Sequence, residues 1–224
     1  MPSSVFIVET YGHKRELQTR LLRWAKENPV YFPWRKRISR FHALTVEILL
    51  QRTKAEQVVP VFHEFRNKFP TAKELATSRI ESIRRIIRPL GLLWRAEYLK
   101  LLGIEINKSG GRIIDDYSHL LSLPGVGPYA ASAYLSLHRG IKQSIVDNNV
   151  VRLYCRLIDY SYNGETRRKP WLVHFADHLT PKNKFKQYNY ALLDFTRAVC
   201  KTKPICQNCP LAHICLHYLE RHKT

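Results

Sequence analysis

Apolar residues in this chain recur at three- and four-residue intervals along almost its whole length, and nowhere do they alternate over the span of a strand. A chain patterned this way buries its apolar stripes by packing helix on helix. Residues 14–28 place Leu17, Leu21, Leu22 and Ala25 on one face, and residues 41–52 read as a strongly apolar helix. Residues 55–68 carry Val58, Val59, Phe62 and Phe65, with Pro60 acceptable only near a helix start. The same period predicts helices at 71–77, 79–87, 94–107, 115–122, 129–138, 148–160, 171–178 and 187–199, with Gly and Pro mainly between them. The expected fold class is all-α, and 224 residues suffice for one domain or two small helical lobes.

The charge balance narrows the partners. Lys and Arg number 37 against 18 Asp and Glu, a net charge of +19. Such an excess fits a polyanion, because Lys and Arg release the counterions condensed on a phosphate backbone. The basic residues are spread in short clusters (35–37, 84–85, 167–169 and 182–186) with no long basic tail, which suits a folded binding face. No apolar run approaches the roughly 20 residues that span a bilayer. The N-terminal stretch lacks the apolar core of a secretory signal. The expectation is an intracellular protein, cytoplasmic or at the nucleoid, without a membrane partner and without structural disulfides.

Three local features carry chemistry. Leu123-Pro124-Gly125-Val126-Gly127 lies between two helical stretches. Its glycines permit a tight turn that opens backbone N–H groups, and Pro128 suits the first turn of a helix whose positive end points the same way. Such a turn grips a phosphate, or it is an ordinary helix–helix connection. Asp147 follows Gly127 by twenty residues, at a helix start where it caps Asn148 onward, stabilises a developing cation, or does both. Glu47 is embedded in the apolar run 43–50. It sits either at an exposed edge or in a pocket that favours its protonated form, from which it can donate to a leaving group.

The cysteines form a fourth feature. Cys200, Cys206, Cys209 and Cys215 fall within 16 residues, with five, two and five residues between them. Soft thiolates select zinc or an iron–sulfur cluster. Zinc ribbons use two close pairs, and here there is one, so a single loop around a [4Fe–4S] cluster is the better fit. Cys155, inside an apolar helix, reads as a core residue.

In order along the chain, residues 32–35 (FPWR), 46–53 (VEILLQRT), 91–99 (GLLWRAEYL), 123–135 (LPGVGPYAASAYL), 146–153 (VDNNVVRL), 188–200 (YNYALLDFTRAVC) and the cysteine loop resemble the endonuclease III, or helix-hairpin-helix DNA glycosylase, superfamily. The loop is one residue shorter in its first gap than the family's. The resemblance implies two helical lobes: a six-helix barrel-like lobe over 33–142, and a second lobe joining 1–32 to 143–224 and carrying the cluster, with a base pocket in the cleft. It implies Asp147, Glu47 and Tyr129 as catalytic residues and Cys200, Cys206, Cys209 and Cys215 as cluster ligands. Gly125, Val126, Gly127, Gln51, Arg52, Leu92 and Asn149 would contact double-stranded DNA holding a mismatched or damaged base. The enzyme would act as a monomer.

Family members that also nick DNA carry a Lys at the position of Tyr129, whose phenol cannot form an imine with the sugar. The expectation is thus a glycosylase without lyase activity. Two such families remain: mismatch glycosylases of the MIG type, acting on T or U opposite G, and the adenine glycosylase MutY, acting on A opposite G or 8-oxoguanine. Arg52, and a chain that stops soon after Cys215, favour T or U. The GLLWRA spacing and Asn149 favour adenine. A non-catalytic helix-hairpin-helix DNA-binding module ranks below both, since a binder gains nothing from acids facing DNA.

Overall fold

The computed structural model describes residues 11–222, which form twelve α-helices and no strand. The all-α expectation holds. No helix among these residues is long and apolar enough to cross a membrane. The chain divides into two compact units. One is Tyr31–Gly140, and the other joins the N-terminal stretch through Val30 to Ile141 and everything after it.

The Tyr31–Gly140 unit holds α2 (Arg40–Leu49), α3 (Ala55–Lys68), α4 (Ala72–Thr77), α5 (Ile80–Ile87), α6 (Arg95–Lys108), α7 (Tyr117–Ser122) and α8 (Pro128–Ala133). At the centre is α2, whose residues from Phe41 to Leu49 are all buried. A helix apolar on every side belongs in the middle of its neighbours. Ser39 starts it by accepting from the His42 N–H. The apolar stripe of α3 runs through Val58, Val61, Phe62 and Phe65, so Val61 takes the inward place expected of Val59. Pro60 lies inside α3, in its second turn. Gly103 lets α6 approach α4 closely, since a Cβ there would stand 3.0 Å from Leu75 and 3.1 Å from the Ala76 backbone.

The last segment departs from the expected continuous helix over 129–138. After α8, residues Tyr134–Arg139 widen into a π-helix that ends on Gly140 in the left-handed region (φ 71°). Asp115 holds this wide turn. Its carboxylate accepts from the Tyr134 hydroxyl at 3.1 Å and from Arg139 Nε at 2.9 Å, and pairs with Arg40 at 3.3 Å. In an α-helix, residues five apart point about 140° away from each other. A π-turn, bonded i to i+5, brings them to one side, where one carboxylate reaches both.

The other unit contains α1 (Lys14–Glu27), α9 (Asn148–Leu157), α10 (Pro170–Leu179), α11 (Phe185–Ala198) and the short α12 (Leu216–Leu219). Its core packs Leu17 and Leu21 of α1 with Tyr154, Phe175, Leu192 and Phe195. Leu22 and Ala25 pack against this core while partly exposed, as the face predicted for α1 requires. Cys155 is fully buried in the same core, and burial pushes its thiol up to about 12.

Candidate active site

The hairpin turn is built from α7, residues 123–127 and α8. Gly125 has φ 77°, open to glycine at little cost. A Cβ there would also stand 2.9 Å from Tyr98 Cβ, so conformation and space both require glycine. Gly127 caps α8 with Pro128 at the first position, and a Cβ on Gly127 would meet nothing within 4 Å. The Gly125 and Gly127 amides make no backbone hydrogen bond among the described residues. Val126 differs: its N–H bonds to the Leu123 carbonyl at 3.1 Å and its side chain is buried, so it braces the turn from inside. The segment therefore presents two open amides at the start of a helix, which is what a phosphate oxygen needs.

Two loops beside this turn carry the residues expected to enter the duplex. Arg52 (φ 55°) and Leu92 (φ 50°) both sit in the left-handed region, costly for side chains other than glycine. Arg52 is exposed and Leu92 half-buried, followed by the exposed Leu93 and Trp94. Gln51 donates from Nε2 to the Gly125 carbonyl at 3.0 Å, tying the first loop to the hairpin.

Arg95, which sequence reasoning overlooked, fastens the two loops. Its side chain is fully buried. One terminal nitrogen donates to the carbonyls of Leu49 (2.7 Å) and Gln51 (3.1 Å) and to Thr53 Oγ1 (3.1 Å). The other donates to the carbonyls of Leu90 and Gly91, each at 3.1 Å. No carboxylate takes part in these bonds. Its planar fork of donors meets carbonyls at both loop ends at once, a geometry lysine cannot copy.

Glu47 lies on the central helix and is 1% exposed, which removes the exposed-edge alternative. Its Oε1 stands 2.9 Å from Nε2 of His138, itself buried. His138 belongs to the π-helical segment and was not foreseen. A buried carboxylate needs such a partner, since an unpaired charge away from water is costly. Tyr129 is half-buried at the second position of α8.

Asp147 lies in the other unit, as the N-cap of α9. Oδ1 accepts from the Val150 N–H at 2.7 Å and Oδ2 from Asn149 Nδ2 at 3.0 Å. Asp147 thus caps the helix, and the cap fixes its carboxylate in place. Burial raises its pKa above the ordinary range, against the Val150 and Asn149 hydrogen bonds and the nearby Arg152, which lower it. Asn149 is oriented in turn. Its Oδ1 accepts from Arg152 at 2.9 Å, and Arg152 also donates to the carbonyls of Cys200 (2.9 Å) and Thr196 (3.0 Å). A chain of bonds therefore runs from the first cysteine of the loop to Asp147.

The four loop cysteines are free thiols that line one small pocket of about 20 Å³, walled by Leu153, Phe195, Val199, Ile205 and Leu211. Arg156 lies 3.4 Å from Cys200 Sγ and also donates to the carbonyls of Lys201 (2.6 Å) and Thr202 (2.9 Å). As they stand, no three His, Cys, Asp or Glu among the described residues are grouped closely enough to hold a metal ion. Four thiols around one apolar pocket, with a guanidinium beside them, nonetheless match in donor type a group that binds sulfur and carries negative charge.

Comparison with known proteins decides the family. The family described as HhH-GPD superfamily base excision DNA repair protein matches residues 45–169, a span that includes Glu47, the hairpin and Asp147. The chain belongs to the HhH-GPD superfamily. Within that superfamily it is 36% identical over 217 residues to the thymine-DNA glycosylase of Aeropyrum pernix, covering 92% of this chain and 96% of that one. It is 30% identical to the adenine DNA glycosylase of Buchnera aphidicola subsp. Baizongia pistaciae over 84% of this chain, but spans only 54% of that protein. A solved structure of a thermostable thymine-DNA glycosylase superposes with a TM-score of 0.86 at 31% identity, covering 92% of this chain and 97% of the other. The resemblance read from the motifs is confirmed.

Proposed function

We propose that this HhH-GPD protein is a monofunctional DNA glycosylase that removes thymine or uracil opposite guanine, acting as a monomer on duplex DNA inside the cell. The observation that carries the choice of base is the 36% identity to a thymine-DNA glycosylase over nearly the full length of both chains. In this reading the Gly125 and Gly127 amides grip a backbone phosphate. Arg52 and Leu92, held in strained backbone, fill the gap left by the extruded nucleotide, whose flipping costs least at a mismatch. Asn149, whose side chain holds Oδ2 of Asp147, lies beside the DNA.

The chemistry is hydrolytic. The C1′–N bond breaks with its electron pair leaving on the base, and positive charge grows on the deoxyribose. The Asp147 carboxylate stabilises that charge, water adds to C1′, and Asp147 takes the proton the water gives up. Glu47 and Tyr129 contact the base and sugar. Tyr129 has no amine, so the product is an intact abasic site. Cys200, Cys206, Cys209 and Cys215 would hold a [4Fe–4S] cluster, whose contribution is to fold the loop around itself.

The test is single-turnover base release from duplexes with T:G, U:G, A:G and A:8-oxoguanine, each with and without alkali. The expected result is release of T and U, with strand breaks only after alkali. Adenine release without pyrimidine release refutes the choice of base. For the cysteine loop, the purified protein should be brown, absorb near 400 nm and contain iron and sulfide. Stoichiometric zinc instead refutes the cluster.

A further inference from the structure

His138 takes no part in the roles above, yet it is the partner of the buried Glu47 carboxylate. The two groups face each other at 2.9 Å, one on the central helix and the other in the π-turn gripped by Asp115. Either the imidazole donates to a carboxylate, or a carboxylic acid donates to the imidazole. In the first arrangement Nε2–H donates to Oε1 and Glu47 accepts. An ionised carboxylate only accepts hydrogen bonds. With Oε1 taken by His138, Oε2 is the oxygen left to accept a further hydrogen bond.

The bases differ at this point. Thymine and uracil carry an N3–H donor between two carbonyls, and they leave as N1 anions delocalised onto those carbonyls, without an acid's help. The ring nitrogens of adenine left free by the sugar are acceptors, and its departure needs a proton delivered to one of them. A carboxylate held as an acceptor takes a hydrogen bond from the pyrimidine N3–H, repels the adenine ring nitrogens and has no proton to give. Sites built to pair with a substrate N–H reject analogues that lack it far more strongly than apolar pockets reject shape.

We propose that His138 is a specificity-determining residue: by donating Nε2–H to Oε1 it holds Glu47 as an acceptor and tunes the site to bases with an imide N3–H. This rests on the thymine/uracil reading above and gives it a structural cause. His138 acts through Glu47 and is thus a positioning residue. The π-helix matters because it brings a residue one turn from the chain reversal at Gly140 onto the side facing α2.

The experiment measures single-turnover release of U and A, each opposite G, by the unmutated protein and by His138→Ala, His138→Gln, Glu47→Gln and the Glu47→Gln/His138→Ala double variant. Thermal melts and duplex binding confirm that each is folded. The expected result is that His138→Ala slows uracil release by about tenfold or more, the scale of one misplaced polar group in a reacting site, while adenine release does not fall. His138→Gln keeps an N–H near the position of Nε2 and should recover most of the uracil rate. In the Glu47→Gln background, His138→Ala should have no further effect, because the two act as a unit. Equal losses for both bases, full uracil activity in a folded His138→Ala, no recovery in His138→Gln, or additive losses in the double variant would each overturn the proposal. An unmutated protein that releases adenine and leaves uracil in place fails the substrate reading itself, before any variant is compared.

Discussion

Replacing Arg95 by methionine removes five hydrogen bonds of 2.7–3.1 Å at once while roughly keeping the volume of the side chain. Hydrogen bonds from a charged donor contribute roughly 1.5–3 kcal/mol each, and a buried acceptor left alone costs about 1–3 kcal/mol. Two effects reduce the sum. The guanidinium no longer pays desolvation, which already lowers its pKa, and Gln51 and Gly91 are exposed enough for water to reach their carbonyls. The buried Leu49 and Leu90 have no such relief. The net loss should be about 3 kcal/mol, close to that of breaking a buried charged network. For a chain of this size that lowers the melting temperature by roughly 6–12 °C. Calorimetry or circular dichroism measures it. Because Arg95 joins the Arg52 and Leu92 loops, base release from a mismatch should fall more than binding to undamaged duplex does. Arg95→Lys should lie between, since one ammonium cannot reach both loops. A methionine variant that melts within about 2 °C of the unmutated protein and releases base at the same rate would refute the clamp.

Asp147→Asn should abolish base release while leaving duplex binding intact, as read by product formation and by gel shift. The same change should stabilise the fold at neutral pH. Because the Asp147 pKa is raised by burial, the folded state holds its proton more tightly than the unfolded state, so this group costs stability as pH rises through the carboxylate range. Melts from pH 3 to 8 should show the asparagine variant ahead at neutral pH and level with the unmutated protein below about pH 3.9, the unfolded reference; an asparagine variant that is less stable at pH 7 contradicts this. Tyr129→Lys places an amine beside the hairpin and should gain strand nicking together with a borohydride-trapped adduct. A strong trapped adduct from the unmutated protein would sink the monofunctional reading.

What the sequence showed and what it hid separate along a physical line. Period and punctuation located the helices because burial of α1 and α3 is set by spacing along one element. The swap of Val59 for Val61 is a rotation of one helix face, which spacing alone does not settle. The π-turn at Tyr134–Arg139 was invisible, because its cause is Asp115, about twenty residues earlier, gripping Tyr134 and Arg139 together. The Glu47 carboxylate was legible as an anomaly, an acid in an apolar run. Its partner His138 was not, since it lies 91 residues away in the chain and reaches α2 only through that turn. Arg95 drew no notice in the sequence because nothing in its neighbours announces that five acceptors from two loops converge on it.

The positions where local rules fail are the ones assigned a role. Glu47 breaks the apolar pattern of α2, and Arg52 and Leu92 occupy backbone that suits glycine. Asp147 keeps a carboxylate where burial opposes its charge. Each departure is held by its neighbours: His138 for Glu47, Arg95 for the two strained loops, Asn149 and Arg152 for Asp147. Strain that persists must be over-determined by its surroundings. The holders are therefore as informative about function as the held residues. A substitution in a holder should lower activity through geometry, and the conservative replacement that restores the donor should restore the rate.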